Sequence, residues 1–160
     1  MKEVSKLVIF HLGNKPFALP VPAVQRIIRA VEVTAVPKAP EIVTGIINLH
    51  GMFIPVFNIR MRFQLPPKDM DLDDQMIIAT TAKRTIALIV DSVDDVIEVS
   101  KERIITAEKV LPELEYVKGI IKTEDGMILI HDLERFLSLS EEETLDEAME
   151  TIQGSEKENR

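Results

Sequence analysis

The sequence predicts an all-β fold, either small barrels or a sandwich, on three observations. The apolar runs are short, rich in Ile and Val, and separated by turn residues at regular intervals. Helical periodicity is scarce. The chain also repeats itself in order, with the second half following the first at offsets of 69 and then 74.

Taken along the chain, Lys6–Leu12 reads as a strand, Gly13-Asn14 as its turn and Phe17–Pro20 as the second strand. A short helix is expected near Pro22–Ile28, and a third strand at Val31–Val36, bounded by Pro37 and Pro40. Ile42–Leu49 and Met52–Phe57 flank His50-Gly51, which suits a tight hairpin. A turn is expected at Ile59–Phe63. The segment Leu65–Asp74, with Pro66-Pro67 and several charges, reads as a linker. Gln75–Thr80 and Thr85–Val90 pair around Ala82-Lys83-Arg84. Val96–Val99, Val117–Lys122 and Met127–His131 follow, with Asp132 capping a short helix at Leu133–Leu137.

The repeat aligns Phe17-Ala18-Leu19 with Ile86-Ala87-Leu88, and Leu7-Val8-Ile9 with Met76-Ile77-Ile78, both at an offset of 69. At an offset of 74, Gly45-Ile46-Ile47 aligns with Gly119-Ile120-Ile121, and Asn58-Ile59 with Asp132-Leu133. One β unit has been duplicated. A unit of about 70 residues is near the lower limit for a self-sufficient core, so the two units should pack together. Strand exchange between them, from the N-terminus, stays open at this level. A groove between the units would suit a partner helix.

With six Phe, one Tyr and no Trp, the core must be aliphatic. Without cysteine, disulfides and thiolate chemistry are excluded. The 27 acidic and 19 basic residues are unevenly spread. Residues 140–160 hold eight acidic and two basic side chains, a net of −6, which leaves −2 for residues 1–139. Neither part clusters Lys and Arg as phosphate-backbone binding requires, so no nucleic-acid partner is expected. There is no secretory leader pattern and no run of about 18 apolar residues, which predicts a cytoplasmic protein without membrane insertion. In the acidic tail, Ser140 and Glu143 have capping-box spacing. Leu145, Met149 and Ile152 form a narrow helical stripe, with disorder expected from Gly154.

Chemistry is hard to find. His11, His50 and His131 have no ligand spacing, so no metal site is expected, and nothing marks a cofactor. His131-Asp132 invites a base-and-orienter reading, but strand neighbours point to opposite faces. His11 and His131 are expected on a solvent face. Asp91, Asp94 and Asp95 could serve a phosphoacceptor, but that chemistry belongs to a doubly wound sheet; they read as a solvated turn. No catalytic residue is assigned and no enzyme is expected.

The segment Gly45-Ile-Ile-Asn-Leu-His-Gly-Met-Phe-Ile-Pro-Val-Phe-Asn-Ile-Arg60 resembles the G-x-x-N-L-R-G-x-x-x-P-V-x-D-L-R signature of the CheW-like family of chemotaxis adaptors. Phe17-Ala-Leu-Pro-Val, Val36-Pro37, Val90-Asp91-x-Val93 and Tyr116-Val-Lys-Gly119 add to it, so the resemblance spans about residues 5 to 138. It implies a CheW-like domain over residues 1–139, made of two SH3-like five-stranded barrels, followed by the 140–160 tail. It implies a scaffold, monomeric when isolated, that couples the cytoplasmic hairpin tip of a chemoreceptor to the regulatory domain of a CheA-type histidine kinase. The protein would then be recruited to membrane receptor arrays through its partners. Carried over by position, the receptor-facing residues are Val24, Arg26, Gly45, Asn48, His50 and Val96.

Three departures stand out. His50 replaces the usual Arg, Arg26 stands where an acid is common, and Asn58 replaces the usual Asp. They suggest a divergent paralogue serving an alternative chemosensory pathway. The rival expectations are a small-molecule-sensing domain using the inter-barrel groove and a phosphoacceptor signalling domain.

Overall fold

The computed structural model describes residues 3–107 and 116–158. Among the described residues, eleven strands form two sheets. They are β1 (Val4–Leu12), β2 (Lys15–Pro20), β3 (Val24–Arg29), β4 (Val43–Leu49), β5 (Met52–Phe57), β6 (Gln75–Thr80), β7 (Thr85–Val90), β8 (Ser92–Ser100), β9 (Ile104–Thr106), β10 (Val117–Thr123) and β11 (Gly126–His131). After β11 comes a helix, α1 (Leu139–Glu158).

The sheets have orders β8-β1-β2-β11-β10-β9 and β3-β6-β7-β5-β4. The repeat maps one order onto the other: β1 on β6, β2 on β7, β3 on β8, β4 on β10 and β5 on β11. In each sheet a parallel pair, β2 with β11 and β7 with β5, joins two antiparallel ladders. The N-terminal hairpin therefore shares a sheet with β8–β11, while β6 and β7 share theirs with β3–β5. Even the irregularities repeat. The β3/β6 ladder shifts register between Val24 and Arg26, and the β1/β8 ladder shifts where Phe10 meets Val93, the residue that the repeat aligns with Val24. The ladders of β4 and β10 shift at Val43/Gly45 and Val117/Gly119.

The consecutive apolar residues have a simple cause, because central strands are buried on both faces. On β6, Met76 and Ile78 fill the core of their own sheet, while Ile77 and Ala79 face the junction between the sheets. On β1, Leu7 and Ile9 do the first job, Phe10 and Leu12 the second. Each such Ile or Leu contributes about 1.5–3 kcal/mol by leaving water.

Several expectations need correction. One sheet has six strands rather than five, because β9 was not foreseen; its counterpart in the other sheet is a single bridge, Thr34 to Ile46. The 31–36 strand is reduced to that bridge. The helix expected near Pro22–Ile28 is a 3-10 turn, Val21–Ala23, followed by β3. Pro22 suits the turn, but the backbone of residues 24–29 finds its partners on β6. Residues 133–137 form turns and bends rather than a helix. Asp132 still accepts a hydrogen bond there, from Glu134 N at 3.0 Å. The capping box of α1 lies at Ser138 and Glu141, two residues before the expected pair. Ser138 Oγ accepts from Glu141 N at 3.1 Å, and Glu141 Oε1 accepts from Ser138 N at 2.9 Å. The backbone of α1 runs on through Gly154 to Glu158, past the point where the sequence suggests disorder. Residues 159 and 160 lie outside the described residues.

The helix docks on the junction through Leu145, Met149 and half-buried Ile152. Ion pairs tie it to the body: Arg62 with Glu141, Lys83 with Glu142 and Arg84 with Asp146. Burial disfavours the Glu141 charge, but the Ser138 hydrogen bonds and Arg62 outweigh it and hold the carboxyl below the usual range.

Candidate functional site

The β4–β5 hairpin sets the geometry. Its two turn residues, His50 (φ +55) and Gly51 (φ +85), both sit in the left-handed region, as a type I′ turn requires. Asn48 Oδ1 accepts from Gly51 N at 2.9 Å and braces the turn. His50 is thereby presented at a fixed, exposed tip. Arg26, exposed on the edge strand β3, donates to His50 Nε2 at 3.3 Å. A guanidinium only donates, so Nε2 is the acceptor. The structure thus brings together Arg26, Asn48 and His50, positions drawn from two separate segments of the chain.

The other expected positions behave differently. Val24 opens β3, half-buried against the junction core. Gly45 is buried on β4, where an added Cβ would meet Thr34 O at 2.2 Å. Its repeat partner Gly119 is crowded less severely, by the Ile104 side chain with Cγ2 at 2.8 Å and by Ile105 O at 3.3 Å. Both glycines let a neighbouring segment cross close over a ladder. Val96 lies on β8, the edge strand of the other sheet, and is 60% exposed.

Of the residues considered for catalysis, Asp91 and Asp94 are held in ion pairs, and Asp95 is exposed on β8. Asp91 is not in a solvated turn. It accepts from Arg60 Nη2 with both oxygens, at 2.5 and 2.6 Å, and from Gly13 N at 2.5 Å. Burial opposes its charge, but the Arg60 and Gly13 hydrogen bonds and the charges of Arg60 and Lys68 prevail, holding the carboxyl below the usual carboxylate range. Lys68 in turn binds buried Asp74 at 2.8 Å, which keeps its ammonium pKa raised. This network joins the β1–β2 turn, the β5 exit, the β7–β8 corner and the linker. It lines a cavity of about 450 Å³, where Arg60, Lys68, Asp74 and Asp91 satisfy one another. Asp94 pairs with His11.

His131 is not on a solvent face. It is 1% exposed, neither ring nitrogen has a hydrogen-bond partner among the described residues, and burial with the nearby Arg62 charge pushes its pKa down to about 3. Its neighbours are aromatic: Phe136 at 5.1 Å and Phe63 at 5.5 Å between ring centroids. A neutral imidazole without hydrogen bonds and out of contact with solvent does no acid–base work. Sequence reasoning missed this burial and the Arg60–Asp91 pair. The first was available in the repeat, which places His131 on Phe57; the second joins residues distant in sequence, with no local signal.

Among the described residues no helix is long and apolar enough to cross a membrane. Residues 6–141 match the family model for the CheW-like domain. The chain is 28% identical over 143 residues to a chemotaxis protein CheW of Klebsiella aerogenes, covering 88% of this chain and 86% of that one. It is 30% identical over 134 residues to the Bacillus subtilis chemotaxis protein CheW, covering 82% and 86%. A solved structure, the scaffolding protein TtCheW from Thermoanaerobacter tengcongensis, superposes with a TM-score of 0.78 at 32% identity. The match covers 88% of this chain and 96% of that one.

Proposed function

The chain belongs to the CheW-like family, and we propose that it is a chemotaxis scaffold which couples a chemoreceptor's cytoplasmic hairpin to the regulatory domain of a CheA-type kinase. The observation that carries this reading is the family match over residues 6–141, joined to a duplicated two-sheet body in which Asp91 and Asp94 are held in ion pairs and His131 is buried. A protein of this build acts by holding partners, not by turning over substrate. The receptor contact is assigned to exposed Arg26, Asn48, His50 and Val96. Gly45 and Val24 set the backbone beneath them. Arg26 and His50, where an acid and an Arg are usual, mark this chain as a paralogue serving its own receptor set. The test is retention: receptor hairpin on a support should hold the kinase regulatory domain only when this chain is added. Equal retention without it would refute the coupling role.

A further inference from the structure

Two cavities are related by the repeat, and the chain covers one of them with its own linker. The first, of about 450 Å³, has Thr44, Asn58, Arg60, Ile89 and Asp91 on its body side. The offsets of 74 and 69 carry these onto Lys118, Asp132, Glu134, Pro20 and Pro22, and every one of those lines a second cavity, of about 270 Å³. None of the residues assigned above to the receptor contact lines it. A hydrogen bond recurs beside both cavities. Gly13 N donates to Asp91 Oδ2 at 2.5 Å in the first, and Ala82 N, the repeat equivalent of Gly13, donates to Glu134 Oε1 at 2.8 Å in the second.

The cover is what differs. Residues 67–70, which follow Pro66 and form neither helix nor strand, line the other side of the first cavity. Lys68 in this strap comes within 3.8 Å of Asp91 Oδ1 and binds Asp74 at 2.8 Å. The repeat equivalents of 67–70 are residues 141–144, and these belong to α1. Among the described residues nothing from α1 lines the second cavity. Glu134 therefore keeps the turn bond that Asp91 makes, without the strap lysine. Asp132 lines the same cavity, so its wall carries two carboxylates against the one ammonium of Lys118, with apolar surface from Pro20, Pro22 and Ala23.

We propose that the second cavity is a docking site for an extended partner segment that carries a lysine next to proline, seated as residues 67–70 are seated in the first. The lysine ammonium donates to the Glu134 carboxylate in a charge-assisted bond. The proline holds the segment extended before it binds, so little ordering entropy is lost. A segment with an acidic residue at that place meets like charge and is rejected.

The test uses the isotope-labelled full chain and a capped peptide with the strap's own sequence, Leu-Pro-Pro-Lys-Asp-Met, followed by amide chemical shifts. Saturable shifts are expected at Thr80, Ala82, Lys118 and Glu134, and the same peptide with glutamate in place of its lysine should give none there. Glu134→Gln keeps an acceptor for Ala82 N and should weaken peptide binding about threefold, with the thermal melt unchanged because Glu134 is exposed. The proposal is overturned by equal shifts from the charge-reversed peptide, by binding that ignores Glu134→Gln, or by no saturable shift at these amides up to about 5 mM peptide. Shifts confined to Gly13 and Asp91 would show the peptide displacing the chain's own strap, and they overturn it too. The receptor-coupling reading stands or falls separately.

Discussion

Phe57 and His131 hold equivalent positions in the two sheets, and both rings pack on Phe136 with centroids 5.1 Å away. One half of the repeat fills this junction site with an apolar ring. The other fills it with an imidazole whose two nitrogens are buried without partners. An unmet buried polar group costs roughly 1–3 kcal/mol. His131→Phe should therefore raise stability by about 1–2 kcal/mol, read from urea midpoints at neutral pH. A loss larger than overpacking explains would show that the imidazole has a partner.

The same substitution should change the response to acid. His131 has a folded-state pKa of about 3, against 6.5 for a free imidazole. The unfolded chain thus takes up the proton first. Stability is fully present above pH 6.5 and is lost as pH falls towards 3. Arg62 adds positive charge nearby, Glu141 is occupied by Arg62, and among the described residues no carboxylate is seen to offset the imidazolium. Thermal melts from neutral pH down to about pH 4 should slope downward for the natural chain and less steeply for His131→Phe. Equal slopes would exclude His131 as the source.

Asp91 works in the same direction at lower pH. Its folded pKa is depressed, so its contribution is present above the ordinary Asp value and disappears as pH falls through the lowered one. Asp91→Asn leaves Arg60, only 11% exposed in its side chain, without its carboxylate. A cost of about 2–4 kcal/mol is expected by chemical denaturation. Because the pair ties the turn at Gly13 to the β5 exit, hydrogen exchange should quicken at both.

Gly45→Ala should be severely destabilising, since the new Cβ would sit 2.2 Å from the Thr34 carbonyl oxygen. Gly51→Ala has open space but positive φ, so a cost of about 1 kcal/mol is expected. Circular dichroism melts of the two variants separate steric clash from backbone strain. Any loss of partner binding at position 45 should track loss of fold.

Leu145→Ala, 1% exposed on α1, should cost about 2–4 kcal/mol if the helix is part of the core. A change below about 0.5 kcal/mol, the size expected of an ordinary surface substitution, would mean the helix is dispensable to folding.

The repeat made much of this legible. Gly45 and Gly119 aligned because the same crossing needs a missing Cβ in both halves, and the His50-Gly51 dipeptide announced its hairpin. Residues 21–29 misled because Pro22 and the Val24/Ile27/Ile28 spacing mimic a helical start, whereas the backbone partner on β6 lies far along the chain. His131 misled because alternation cannot say which strands are covered on both faces. The Arg26–His50 contact was invisible, since it depends on how a hairpin tip meets an edge strand. These three failures concern contacts made between distant segments, whereas the two-residue shift of the α1 capping box to Ser138 and Glu141 is a local one.

Coupling itself is tested most directly by calorimetric titration of the full chain with the regulatory domain of a CheA-type kinase from its own source. Saturable binding near one to one is expected, and it should persist with receptor hairpin present. A folded sample that gives no heat of binding would contradict the scaffold role.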